Sequence, residues 1–166
     1  MKTQTYVLLF AVLTMAACQP KTETAPVGIA AVEDAVTAVV DNYHKGVCAG
    51  NVNDIKPLLE DKGLYCGTDP IELWDKETVL NLMTEGMADS SYAYDYSIDK
   101  RITRVAADGK TALVLDQTTI KALSKKIPIR FIFHLVKTNE NWKIDFLSCS
   151  FIPKNEDIVK LDLALE

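Results

Sequence analysis

Residues 127–152 read IPIRFIFHLVKTNENWKIDFLSCSFI. Ile129, Phe131, Phe133 and Leu135 alternate with Arg130, Ile132, His134 and Val136, the period of a strand with one continuous apolar face. The polar run Asn139–Asn141 turns the chain, and residues 142–152 form a second strand, so the stretch reads as an antiparallel hairpin. Upstream, Asp108-Gly109 supplies another hairpin turn. It joins a strand over 110–122 to one starting at Tyr92, where Tyr92, Tyr94, Tyr96 and Ile98 alternate with Ala93, Asp95, Ser97 and Asp99. Leu64-Tyr65-Cys66 is a further short strand candidate.

Helices precede the strands. Ile29, Val32, Val36, Val39, Val40, Tyr43 and Val47 recur three or four apart and predict an amphipathic helix over 29–47. His44 falls among the polar positions of that helix and is expected to be solvated. A second short helix is expected near Asn53, read as its N-cap, with Pro57 in the first turn. In GTDPIELW (67–74), Asp69 followed by Pro70 and by Glu72 is a capping arrangement that predicts a helix start. Asp75 caps another helix through Met87, with Val79, Leu80, Met83 and Met87 inward. Helices followed by hairpin-linked strands define an α+β domain with a mostly antiparallel sheet. The first helix must bury its Val/Tyr stripe on one face of that sheet.

The composition is that of one ordinary domain: 166 residues, 48% hydrophobic, 25% charged, net charge −5. It excludes disorder and low-complexity architectures. The acidity argues against nucleic acid as a partner, because phosphates need a basic surface. No apolar run is long enough to span a bilayer.

The first 17 residues have Lys2 as a positive start, an apolar stretch Tyr6–Leu13 and the small residues Ala16 and Ala17, the pattern of a secretory signal peptide. Met15-Ala16-Ala17-Cys18 resembles the bacterial lipobox. That resemblance implies cleavage before Cys18 and acylation of it, so that the chain reaches the membrane through a lipid. Gln19, in place of Asp, points to the outer membrane or the cell surface. Residues 18–28 read as a flexible tether, 29–155 as the domain and 156–166 as a tail that adds a short helix.

Cys48, Cys66 and Cys149 remain. Three is odd, so at most one intramolecular disulfide forms. The plain reading makes them buried small apolar residues. No Cys/His spacing of a metal site occurs, and nothing in the sequence calls for a cofactor.

The order of elements is similar to that of the NTF2-like superfamily. GTDPIELW (67–74), Trp142-Lys143-Ile144 and Ser150-Phe151-Ile152-Pro153 resemble segments of its SnoaL-like domains, over roughly residues 30–155. The resemblance implies a cone in which helices pack on a strongly curved sheet around a small-molecule cavity. It also implies frequent dimerisation through the sheet's outer face. Members include isomerases, dehydratases, cyclases and hydrolases alongside non-catalytic domains. The enzymes use an Asp with a Tyr, Arg or His inside the cone. Where relatives carry a histidine midway along the last strand, this chain has Asp145-Phe146-Leu147, which counts against a histidine mechanism at that point.

Tyr43, Asp69, Glu72, Trp74, Tyr94 and Asp116 are the cavity candidates. Capping and packing alone would explain Asp69, Glu72 and Trp74; alternatively they form a polar pair beside an aromatic wall. Asp95, Asp116 and Asp145 lie in strands, where an inward carboxylate would be desolvated and able to act as a general base. Arg130 and His134 are dimer-face residues if the Phe stripe faces the helices, and a cationic pocket if it does not. The favoured function is an envelope lipoprotein whose cone binds a small apolar ligand or a partner protein. The alternatives are an isomerase, cyclase or hydrolase using a cavity Asp, and a non-catalytic dimerisation module.

Overall fold

The computed structural model describes residues 28–88 and 94–165. The signal segment, Cys18, all of the tether but Gly28, and Tyr92 lie outside the described residues. Among the described residues no helix is long and apolar enough to cross a membrane.

The elements run α1 (Ile29–Cys48), α2 (Val52–Ile55), a 3-10 turn (Lys56–Leu58), β1 (Leu59–Cys66), β2 (Leu73–Trp74), α3 (Lys76–Ala88), β3 (Lys100–Val105), β4 (Thr111–Thr118), β5 (Ile129–Thr138), β6 (Asn141–Phe151), a second 3-10 turn (Asn155–Asp157) and α4 (Ile158–Ala164). The six strands form one sheet in the order β2-β1-β6-β5-β4-β3. Every pairing is antiparallel except β1 with β6. The fold is α+β, with helices packed on a mixed, mostly antiparallel sheet.

The inner face of the sheet carries Val114, Ile129, Phe131, Phe133, Leu135, Ile144 and Leu147, all buried together with Val36, Val40 and Tyr43 of α1. Side chains such as Val36 and Phe133, with no exposed surface, each contribute roughly 2 kcal/mol by leaving water. The Phe stripe of β5 therefore faces the helices, and Arg130 and His134 lie on the opposite face, both half-buried.

Two irregularities bend the sheet. The β5–β6 register shifts between His134 and Leu135, which leaves Asp145 as an extra residue. The β1–β6 register shifts between Leu59 and Leu64. The Tyr65 hydroxyl ties both together, donating toward the carbonyls of Glu60 (2.8 Å) and Ile144 (3.0 Å). Gly63 passes beneath that hydroxyl, and a Cβ there would meet the Tyr65 ring and sit 3.0 Å from the Asp145 carbonyl. Bulges of this kind increase local twist and curve a sheet into a cone.

Several sequence expectations are corrected. Asp69-Pro70 starts no helix. Glu72 accepts from the Asp69 N–H and Asp69 from the Ile71 N–H, so the capping exchange closes on itself as a turn. The chain then returns as β2, paired with Tyr65 and Cys66. Asn51, not Asn53, caps α2, accepting from the Asn53 N–H, and Pro57 falls in the following 3-10 turn. The first strand begins at Leu59, five residues before Leu64, and β4 stops at Thr118. Residues 94–98 are not in a strand; β3 starts at Lys100. The Thr118 hydroxyl holds the Ser97 carbonyl there, so the chain leaves the sheet edge and runs toward the mouth of the cone. Cys48 is exposed rather than buried, at the last position of α1; it, Cys66 and Cys149 are all free thiols.

Candidate functional site

The site grows from the β3–β4 hairpin. Arg101 lies directly opposite Asp116 in the ladder, so both side chains rise from the same sheet face. That face is the inner one, since Val114 and Thr118, two residues either side of Asp116, are buried. From α1, Asp41 and His44 are one turn apart and meet this pair. Arg101 donates from Nε to Asp116 Oδ1 and from Nη2 to Asp116 Oδ2, both at 2.7 Å, and from Nη1 to Asp41 Oδ1 at 2.7 Å. Asp116 Oδ2 also accepts from His44 Nε2 at 3.0 Å, and His44 Nδ1 lies 2.7 Å from the Tyr96 hydroxyl. The result is one chain: Asp41, Arg101, Asp116, His44, Tyr96.

His44 is therefore buried, which corrects the expectation of a solvated residue. It follows Val40 by one turn and sits at the margin of the apolar stripe. Its ring meets Phe131 and Phe133 edge-on, each with centroids 5.3 Å away, and Tyr43 and Tyr96 surround it further. A polar ring is tolerated in such a place only because both nitrogens have partners.

The electrostatics fix the roles. Burial pushes the Asp116 carboxyl up, but hydrogen bonds from Arg101 and His44 and their charges outweigh it and hold it below the usual range. The hydrogen bonds to Asp116 raise the Arg101 guanidinium further above its ordinary value, against burial. Asp116 is thus a carboxylate that accepts from His44 Nε2–H. The ring's other nitrogen, Nδ1, shares its hydrogen bond with the Tyr96 hydroxyl. Burial raises Tyr96 well above the normal phenol range, which keeps the proton on its oxygen.

Tyr96 is where the chain meets open space. A pocket of about 400 Å³ lies between the end of α1, α3 and the inner sheet face. Tyr43, Trp74, Tyr94, Tyr96 and Phe131 form its aromatic walls; Val79, Met83, Met87, Ile120 and Ile129 are among its aliphatic ones. Thr68, Glu72 and Cys149 supply other polar atoms. Burial, and next the charge of Glu72, push the Cys149 thiol up to about 12, so it is no nucleophile.

Of the sequence candidates, Tyr43, Glu72, Trp74 and Tyr94 meet in this pocket. Asp69 is exposed in the turn beside it, and Asp116 stands behind the wall rather than in it. Asp95 is exposed, and Asp145 pairs with His134 Nδ1 at 2.6 Å on the outer face. Sequence reasoning missed Asp41, Arg101 and the buried role of His44. A usable signal existed: counting outward from Asp108-Gly109, one residue on each side at a time, brings Arg101 opposite Asp116. Among the described residues no group of three or more His, Cys, Asp or Glu is arranged to hold a metal ion.

No curated protein matches the sequence. Among solved structures, the chain is similar to an NTF2-like protein of unknown function from Pseudomonas putida (TM-score 0.64, 12% identity, 76% of this chain and 91% of that one). It is also similar to a protein of unknown function of the DUF3225 family from Pectobacterium atrosepticum (0.61, 18%, 75% and 93%). A third is a protein with a cystatin-like fold from Nostoc punctiforme (0.59, 11%, 79% and 97%). At such identities the likeness shows the fold alone. The family model described as "SnoaL-like domain" matches residues 36–153, spanning every element from α1 to β6 that builds the pocket, and the chain belongs to that family.

Proposed function

We propose that this chain is a lipid-anchored binding module of the bacterial cell envelope, attached to the outer membrane through acylated Cys18, whose cone holds one small, largely apolar molecule. The carrying observation is how the pocket treats its polar groups. The buried carboxylate Asp116 has both oxygens engaged by Arg101 and His44 and does not line the pocket. What lines it is chiefly apolar and aromatic, with the Tyr96 hydroxyl held in place from behind. A few fixed polar atoms on an apolar wall orient a ligand without reacting with it. The experiment is native mass spectrometry of the full-length protein recovered from its own envelope. A co-purifying small molecule is expected; the reading falls if no adduct is seen and no apolar dye binds saturably. For the anchor, Cys18→Ala is expected to abolish acylation and release the protein from the membrane fraction.

The outer sheet face supports a homodimer. Leu64, Phe146, His134 and Leu113 form one cross-strand row, and Ile132, Leu115 and Ile102 lie in the next. Leu64, Leu113 and Ile102 are exposed on it.

A second reading is favoured by the 2.7 Å approach of Tyr96 to His44. A pocket hydroxyl backed by His44 and Asp116 could relay a proton to or from a bound substrate, as an isomerase, cyclase or hydrolase requires. Exchange of an acidic C–H of bound ketones with solvent deuterium, lost in Tyr96→Phe, would establish it. No exchange above background leaves the binding module.

A further inference from the structure

The formal charge of the pocket lining is of one sign. Among the described residues that line it, Glu72 alone is charged, with no Lys, Arg or His beside it. It forms no ion pair among the described residues. One of its oxygens is fixed by the Asp69 N–H at 2.9 Å. Its position depends on Gly67: a Cβ there would strike the Glu72 carboxylate and lie 2.9 Å from the Trp74 ring. The missing side chain lets the carboxylate and the indole fold together at the pocket wall.

Tyr96 brings no charge of its own: its hydroxyl is held at the wall by His44 Nδ1 at 2.7 Å. The aromatic rings of Tyr43, Trp74 and Tyr94 line the same space and offer π-systems to a cation. Even the Cys149 thiol registers the Glu72 charge. Among the described residues, an anion entering this space meets a carboxylate and no cation. A neutral apolar molecule gains contact but leaves Glu72 desolvated with no counter-charge, which is costly.

We infer that the ligand of this pocket is a cation with an apolar body, a substituted ammonium seated against the aromatic walls with Glu72 as its counter-ion. Cation–π attraction and a desolvated counter-charge are the usual means of recognising such groups. The inference rests on the reading of the pocket as a small-molecule site and adds the charge of its occupant.

Three probes of similar shape test it by isothermal titration calorimetry on the full-length chain: benzyltrimethylammonium, its neutral carbon isostere neopentylbenzene, and phenylacetate. The ammonium is expected to bind about tenfold tighter than the neutral isostere, with the anion weakest. In Glu72→Gln, whose amide oxygen still accepts from the Asp69 N–H, the preference is expected to shrink to within about twofold while neutral binding is retained. Gly67→Ala, which pushes the carboxylate aside, should have the same effect; thermal melts of both variants check that the fold is intact. If the neutral probe binds as well as the ammonium, the inference is overturned and the apolar-ligand reading stands. If a preference exists but survives both variants, Glu72 is not the counter-ion and the inference is likewise overturned. If none of the three binds, it also fails, and the co-purification experiment alone then decides the apolar-ligand reading.

Discussion

Arg101 and Asp116 face each other across the β3–β4 ladder and close a two-point ion pair at 2.7 Å and 2.7 Å on the sheet face turned toward α1. Asp116 has no exposed surface, so its charge is sustained entirely by Arg101 and His44. The pair is also the joint between helix and sheet, because Arg101 reaches Asp41 and Asp116 reaches His44, both on α1. A planar guanidinium can serve two carboxylates at once, which a lysine cannot.

Removing one partner should therefore be costly. Asp116→Asn leaves Arg101 with a half-buried, half-satisfied guanidinium and weakens the anchor of His44. A loss of about 3–5 kcal/mol is expected, read from the urea midpoint at neutral pH. Arg101→Lys should lose a substantial part of the same amount, since one ammonium cannot replace the fork. A loss under about 1 kcal/mol for Asp116→Asn, the worth of a surface pair, would mean that the joint does not hold α1 to the sheet.

The same carboxylate predicts an acid dependence. Asp116 titrates below its ordinary value in the folded chain and near about 4 when unfolded. The unfolded state thus binds the proton first on acidification, so this stabilisation is complete above about pH 4 and disappears as pH falls through the lower, folded value. Asp116→Asn has no such titration. Urea unfolding at several pH values should show the wild type and the variant far apart at neutral pH and converging as the pH drops below about 4. A gap independent of pH would contradict the assignment of Asp116 as a carboxylate.

Tyr96→Phe separates packing from hydrogen bonding. The ring stacks on Phe131 with an interplanar angle of 10°, a contact Phe would keep. The hydroxyl is lost, and His44 Nδ1 is left without its partner. Stability should fall by about 1–3 kcal/mol, the cost of an orphaned buried polar group, and ligand affinity should fall with it. Unchanged stability would mean that water replaces the phenol, and that the relay from Asp116 to the pocket is not continuous.

These residues also show which parts of the structure were legible. The β5–β6 hairpin was readable because its apolar alternation coincides with its burial, residue by residue, from Ile129 to Leu135. Asp116 was seen as a candidate, but its orientation was ambiguous because both faces of β4 carry apolar residues, and only the pairing with Arg101 resolves it. His44 was misread because a helix has no sharp edge between its faces; a polar residue one turn after Val40 is buried if the sheet offers partners and exposed if it does not. Those partners come from residues 52 and 72 positions away, beyond the reach of local periodicity. The Asp69-Pro70 segment shows the reverse failure: correct capping chemistry was present, but β2 pairing with β1 overrode helix continuation.

The outer sheet face gives a prediction about assembly. Leu113 sits in a row with Leu64, Phe146 and His134, in which Leu113 and Leu64 are exposed and His134 and Phe146 partly covered. In the proposed homodimer an aspartate there would bring a charge on each protomer into the apolar interface. Leu113→Asp should shift the protein from dimer to monomer in sedimentation velocity and leave the pocket's affinity within about twofold. A wild-type chain that sediments as a monomer at high micromolar concentration would remove the dimer from consideration.

Gly86 offers the most direct handle on the pocket. It lies within α3, where glycine is a poor helix former, and it lines the cavity. A Cβ added there meets nothing within 4 Å. Gly86→Ala should therefore stabilise the protein by about 1 kcal/mol, through helix propensity and a less flexible unfolded chain. Gly86→Phe should place a ring in the cavity itself, displacing whatever binds there while the chain stays folded. The paired outcome, higher melting temperature in the first and lost ligand binding with intact folding in the second, would mark this space as the binding site. If Gly86→Phe binds the ligand as the wild type does, the ligand sits elsewhere, and the aromatic walls of Tyr43, Trp74 and Phe131 are core rather than recognition surface.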